Sequence, residues 1–581
     1  MAIETLPEPP SFETTKRLLA SLINEGLASA TIQGKTAEPK SIICLRKNDS
    51  PDEDISLLVK AAPGALVQDR DGEVLPVIQP SMFCPPVLVA SKGVQHETVE
   101  AGELFALLSP WFGDLASQDV LDEISRHLQN SGSNQETWMQ IAASQKILGL
   151  HDSSIAWERT MICGHPTHPF HRTCDAKPPL KPVKPGDILG MLTPGITFVS
   201  LPSSDLHLAG PFKQLLQPLL RRLEVPSAPE HHIIMPCLTQ QLPSVMQRFP
   251  NVMVLKSVVD CVDAQASLRT VTPRPELEFP FHLKLSLACQ ITSALRTITP
   301  WSAQGGPIVT EIMARFLPSD LWIFPEVAAA TGSQSNFDDA KHLSCILRGN
   351  LELRADKNNE VLILGAALTQ QPHGTSHSYA EILFDLQTVS QKQEWFHEYV
   401  TCLLNLTLPP LVNHGIGVEG HGQNMLARVC RKTGKIKGFA VRDFGGIRLH
   451  TPTLLEQGVN FDGMFPDWAV MTENMSEVWG KVHHSLLQNH VGYLLDALQL
   501  QRYDGWAIVR DVLGGVLAGL PQNGLYEFCM KETIPFKCFL RMRMEGKYRD
   551  YVEREVPNTL LMGSEKWDGI LENYVPSLHW T

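Results

Sequence analysis

Between residues 164 and 187 the chain reads GHPTHPFHRTCDAKPPLKPVKPGD, and neither a helix nor a strand can run through the whole of it. Each proline lacks the amide hydrogen that both ladders need and fixes its own φ. At 581 residues the chain also exceeds what one core encloses, so roughly two to four subdomains are expected. Ahead of the segment, residues 1–150 read as a helical region. TTKRLLASLINEGLASA sets Leu18, Leu22 and Ile23 at helical spacing, and AGELFALLSPWFGDLASQDVLDEISRHLQ reads as a second helical stretch. Residues 151–390 alternate β-like runs (HHIIMPCL, NVMVLKSVVD, HLKLSLACQI, DLWIFPEVAAA, EVLILGAAL) with short helices, which predicts a mixed sheet. Residues 391–581 are predicted to be helix-rich, the clearest helix being SEVWGKVHHSLLQNHVGYLLDALQL with Val478, Val482, Leu486 and Tyr493 on one face. The change of pattern falls near residues 385–395.

Composition narrows the function. With 49 Lys and Arg against 62 Asp and Glu, the net charge is −13, which argues against a nucleic-acid partner. An anionic substrate would need positive charge gathered in one cleft. No run of eighteen apolar residues predicts a membrane span, and the opening stretch is acidic where a signal peptide would be basic. Twelve cysteines without a C-x-x-C pair suit reduced thiols. A cytoplasmic protein is the expectation.

HGIGVEGHGQN, residues 414–424, contains a literal G-x-G-x-x-G in Gly415, Gly417 and Gly420. A dinucleotide fold needs a strand before those glycines; here an amphipathic helix ending at Pro409 and Pro410 precedes them. Glu419 would also repel a pyrophosphate. Glu419, His421, Gln423 and Asn424 instead mark an active-site loop, with a flexible loop that carries no chemistry as the plainer alternative. Farther on, VRDFGG carries Asp443, a turn carboxylate suited to Mg²⁺, with an Arg442–Asp443 ion pair as the plainer alternative. The triplet Asp443-Phe444-Gly445 matches protein kinases, but no V-A-I-K lysine or H-R-D loop accompanies it. In the histidine-rich segment, Cys163, His165, His168, His171 and Cys174 lack the ligand spacing of zinc sites. Their loop suits carboxylate or phosphate binding, with structural histidines as the alternative. Ser267, Arg269 and Thr270 form a donor cluster, Lys284 and Ser286 share a strand face, and Thr292 and Arg296 are expected at the start of a helix, with solvated surface charges as the plainer alternative.

In this order, GHPTHP (164–169), SLRT (267–270), KLSL…ITSALR (284–296), GVEGHGQN (417–424) and RDFGG (442–446) resemble the aerobactin-synthetase-like IucA/IucC family, the synthetases of nonribosomal-peptide-synthetase-independent (NRPS-independent) siderophore assembly. The resemblance spans roughly residues 150–580. It implies an α+β cupped hand of thumb, fingers and palm, and an enzyme that adenylates a carboxylate of citrate or a related acid with ATP and Mg²⁺. An amine or alcohol then attacks the activated acyl group. Many family members are dimers. By the resemblance, Ser267, Arg269, Thr270, Lys284, His165, His168, Gln423 and Asn424 face ATP. Thr292, Arg296 and His421 meet phosphate and acid, His421 also serving as base, while Arg172 meets the acid and Glu419 and Asp443 lie near Mg²⁺.

Two departures bear on the acid. The family's loop continues with Lys and Arg where this chain has Arg172 and Cys174, and an Asn is replaced by Gly305. An acid other than the usual one is therefore expected, and the product need not be a siderophore. Two other classes compete: a kinase-like phosphotransferase built on Glu419, Asn424 and Asp443, and a non-catalytic anion- or metal-binding protein using the His/Cys loop.

Overall fold

The computed structural model describes residues 8–33, 42–48, 55–62, 77–91, 93–292, 294–522, 524–547 and 552–573. It is an α+β structure whose apolar side chains gather into three large cores, as the length of the chain demands.

The first core contains the expected helix, Phe12–Asn24, with Leu18, Leu22 and Ile23 buried. The rest of the N-terminal region departs from the helical expectation. Ala28–Gln33, Ile42–Lys47, Ile55–Ala61, Phe83–Ser91 and Val94–Thr98 form a five-stranded antiparallel meander. Its inward residues follow a period of two, with Ala28, Ala30 and Ile32 in the first strand and Leu57 and Val59 in the third. Helices Ala101–Leu108 and Gln118–Ala143 pack beside it. The far end of the chain completes this core with Leu540 and Met544. There the buried Glu25 accepts the backbone N–H of Leu540 at 3.0 Å and of Arg541 at 2.9 Å.

The second core lies in the middle of the sequence, where the expected strands form. A six-stranded antiparallel sheet runs Val262–Ala264, Thr270–Pro273, Phe281–Leu285, Ser344–Gly349, Glu326–Gly332 and Leu206–Ala209. Its register sets Thr270 opposite Lys284. The segment 164–173 contains neither helix nor strand, and Cys174–Ala176 then pairs with Cys289–Ile291.

The third core joins Trp157, Leu362 and Leu403, so it draws on residues from both sides of the expected boundary near 385–395. Its sheet runs Leu321–Ile323, Ile436–Val441, Met425–Cys430 and Glu360–Leu364, parallel at the first pair and antiparallel at the others. Helix Val389–His414 begins at a capping box between Thr388 and Gln391 and stops at Gly415, whose φ of 64° is the left-handed helix-ending conformation. The first glycine of the G-x-G-x-x-G pattern is thus a helix C-cap. Gly422 serves a different need, since a Cβ there would stand 2.6 Å from the Ala366 nitrogen. Five short strands between Ile416 and Thr472 precede the later helices, so this region is helix and sheet together. The helix expected over 476–500 is continuous but changes type, with α over Met475–Val482, π over His483–Val491 and α over Gly492–Ala497. Among the described residues, no helix is long and apolar enough to cross a membrane.

Candidate active site

The segments singled out in the sequence converge on one cavity of about 1470 Å³. Of the residues to which the family resemblance assigns a role, all line it except Thr270. Thr270 is buried in its strand and acts through its backbone N–H, which donates to Ser267 Oγ at 3.3 Å.

The cationic wall comes from the middle sheet and a neighbouring hairpin. Lys284 is 4% exposed, and its Nζ donates to Asp443 Oδ1 at 2.7 Å and to Glu326 Oε1 at 3.2 Å. Burial raises the Asp443 carboxyl, but Lys284, Arg269 and Arg348 outweigh this and hold it far below the ordinary carboxylate range. Asp443 follows strand Ile436–Val441 with φ 67°, a conformation that Asp tolerates better than most residues. Arg269 Nη1 donates to the carbonyls of Arg296 and Thr297 at 3.3 and 3.0 Å. Thr292 and Arg296 are neighbours, with Arg296 Nη2 donating to Thr292 Oγ1 at 3.2 Å. They do not start a helix, however. Thr292, at φ 60°, lies in a hairpin between Cys289–Ile291 and Ala294–Leu295, where the turn brings residues four apart together as a helix would.

The glycine-rich loop lines the same cavity. Lys481 Nζ donates to Glu419 Oε1 at 2.7 Å, and His421 Nε2 lies 4.0 Å from Glu419 Oε2. Burial raises the Glu419 carboxyl, but Lys481 and His421 together bring it down to about 2. His421 is lowered from the usual histidine value, chiefly by burial. The same desolvation lowers His165 to about 3 and His168 well below its ordinary value. His168 stacks on Phe539 with ring centroids 4.1 Å apart. The alternative Arg442–Asp443 ion pair does not form: Arg442 binds Glu158, and Asp443 binds Lys284.

Two carboxylates on one cavity fit Mg²⁺, which takes one or two carboxylates and completes its shell with phosphate oxygens and water. An all-protein cage would need more, and no three His, Cys, Asp or Glu among the described residues are grouped to hold a metal. The His/Cys loop in particular does not converge. His171 bonds Thr14 and the Cys163 carbonyl, while the Cys174 sulfur faces Met191 and Cys289.

The departures at Arg172 and Gly305 have structural explanations. The Arg172 guanidinium donates to the carbonyls of Met161 and Ile162 and lies over the Trp138 ring at 4.1 Å, so its fork is directed at backbone. Gly305 does not line the cavity; a Cβ there would meet Trp468 at 2.2 Å. Sequence reasoning missed Glu326, Glu158 and Lys481, whose partners lie 42 to 284 positions away. It also missed the wall made by the π stretch, in which Asn489 Nδ2 reaches His484 Nε2 at 3.2 Å across five positions. The wider π turn brings such pairs together and recurs at functional sites.

Two family models match the chain: "IucA / IucC family" over residues 220–370 and "Ferric iron reductase FhuF-like transporter" over 393–552. The NRPS-independent siderophore synthetase-like protein ankE of Aspergillus thermomutatus is 43% identical over 604 residues, covering 99% of each chain. The D-ornithine–citrate ligase of Staphylococcus aureus is 24% identical over 630 residues, 94% of this chain and 92% of that one. Among solved structures, the petrobactin biosynthesis protein AsbB of Bacillus anthracis superposes with a TM-score of 0.74 at 17% identity over 95% of each chain.

Proposed function

Because the chain belongs to the IucA/IucC family of NRPS-independent siderophore synthetases, we propose that it is an ATP-dependent ligase acting on citrate or a related polycarboxylic acid. It joins one carboxylate to an amine or alcohol, through an acyl-adenylate, and releases pyrophosphate and AMP. The observation that most supports this is the convergence of Ser267, Arg269, Lys284, Thr292 and Arg296 on a cavity that Glu419 and Asp443 also line. A relative named for joining ornithine to citrate supports the acid and an amine as the nucleophile.

The chemistry follows from charge. A carboxylate oxygen attacks the α-phosphorus of ATP and the bond to pyrophosphate breaks, so two anions must meet. Fixed cations placed where negative charge develops answer that need without a protein nucleophile. Lys284, Arg269 and Arg296 supply them, Ser267 and Thr292 add hydroxyl donors, and His165, His168, Gln423 and Asn424 complete the ATP-facing wall. Mg²⁺ held by Asp443 and Glu419 would neutralise phosphate charge. The incoming amine then attacks the acyl carbon, AMP leaves, and His421 accepts the amine's proton.

The test is ATP turnover with Mg²⁺, a panel of di- and tricarboxylic acids and hydroxylamine as surrogate nucleophile, with pyrophosphate and ADP quantified separately. Acid-dependent pyrophosphate and hydroxamate are expected, falling about 10²-fold in Arg296→Ala. ADP in place of pyrophosphate would refute adenylation and favour the phosphotransferase.

The pH dependence is signed. His421 faces Glu419, Asp443, Lys481 and Arg442, with His165 and His490 beside it, and its lowered value keeps it unprotonated at neutral pH. A base is lost only when pH falls through its own pKa, so the acid limb of the aminolysis rate should lie below 6.5, the ordinary histidine value. It should disappear in His421→Gln. An acid limb left unchanged in His421→Gln would remove His421 as the base.

A further inference from the structure

The short helix Ser154–Glu158 ends in a carboxylate that is 4% exposed and does not line the cavity. Glu158 Oε2 accepts the backbone N–H of Ala266 at 3.0 Å and Arg442 Nη2 at 3.1 Å, while Oε1 accepts Arg442 Nη1. Those two partners adjoin the site directly, since Ala266 precedes Ser267 and Arg442 precedes Asp443. Arg442 reaches a third segment as well. Its Nε donates to the Gln423 carbonyl at 3.1 Å, and its backbone N–H donates to the Asn424 carbonyl at 3.1 Å. We propose that Glu158 is a positioning residue for the nucleotide, setting the mutual placement of the Ser267, Gln423–Asn424 and Asp443 segments through one amide and one guanidinium.

Three features make this carboxylate more than a structural ion pair. The first is geometry: a bidentate fork fixes the direction of Arg442 as well as its distance, and that guanidinium then holds the Gln423 carbonyl. The second is charge. Arg442 Nη1 and Arg348 Nη2 both donate to Gln265 Oε1, at 3.2 and 2.5 Å. Two buried guanidiniums therefore share one neutral acceptor, and Glu158 supplies the opposing charge on one side while Asp443 and Glu326 supply it on the other. Burial followed by Arg442 lowers the Arg348 guanidinium to about 10, and Asp443, Glu326 and Glu158 oppose that shift. The third is topology. The contacts join chain positions 108 and 284 apart, so nothing local in the chain holds these segments in register.

The inference rests on the reading of Ser267, Gln423, Asn424 and Asp443 as facing ATP. It is tested in the full chain with Glu158→Gln, which keeps the shape and an acceptor for Ala266 but loses the charge-paired fork, and with Glu158→Asp, which keeps the charge one methylene short. KM for ATP, KM for the acid, kcat and the thermal midpoint are measured for each. In Glu158→Gln, KM for ATP should rise about tenfold or more, with kcat and the acid KM within about threefold of the parent. Glu158→Asp should recover part of that rise. Glu158→Gln combined with Arg442→Gln should raise KM by less than the product of the single effects, because both act through one contact. A lowered midpoint with KM for ATP unchanged would make Glu158 structural only and overturn the proposal, as would loss of the fold in both Glu158 variants. If the parent yields ADP, adenylation fails while the KM comparison still decides the role of Glu158.

Discussion

Lys284→Met should lose acid-dependent pyrophosphate release by about 10³-fold while also destabilising the fold by about 3–5 kcal/mol. The two effects share one cause. Lys284 is the cation between Glu326, 2% exposed, and Asp443, whose side chain is about a third exposed to the cavity. Methionine fills the space of the stem and removes the charge, leaving Glu326 as a buried carboxylate without its cation. Adding Glu326→Gln separates the effects, because neutralising that acid should return much of the stability and none of the activity. Urea melts and initial rates on the single and double variants check this. A Lys284→Met rate within tenfold of the parent would take Lys284 off the phosphate path.

Gly446→Ala should cost about 10²-fold in rate through a single methyl group. A Cβ on Gly446 would stand 1.8 Å from Glu419 Oε2, 2.3 Å from its Cδ and 2.6 Å from Oε1. All three terminal atoms are too close, so the carboxylate has to swing away and give up its 2.7 Å bond to Lys481. The adjacent Gly445→Ala is the control, since a Cβ there has nothing nearer than Asp443 Oδ1 at 3.8 Å and should be tolerated. The Mg²⁺ requirement sharpens the comparison. The half-saturating Mg²⁺ concentration should rise in Gly446→Ala and hold in Gly445→Ala. Equal behaviour of the two variants would mean that the position of Glu419 does not matter.

The legible part of this molecule was the part written locally. Strand runs such as HHIIMPCL and EVLILGAAL carry their burial in their composition, and Gly415 after a long amphipathic segment marks a helix end by the chemistry of one residue. The motifs that gather in the cavity could be named because each packs several functional groups into a few positions. The N-terminal meander is hidden at its start, because its first strand, ASATIQ, is rich in residues with little preference for sheet. The Thr292–Arg296 turn was misread because a spacing of four satisfies a helix and a tight hairpin alike, and the left-handed backbone of a threonine has no sequence signature. The hidden acids Glu158 and Glu326 were beyond reach for a different reason. Nothing near either residue names its partner, so a carboxylate that orients an active site reads as any other surface glutamate.

The clamp between Glu25 and the backbone of Leu540 and Arg541 bears on the order of events during synthesis. Residues 12–128 supply most of the first core and leave the ribosome early, yet Leu540 and Met544 emerge more than four hundred residues later. At about 5–20 residues per second, that leaves on the order of half a minute or more in which the meander stands with an open apolar face and an uncapped Glu25. A core begun early in synthesis is sealed only by residues made much later, and in that interval it is exposed to association with its neighbours.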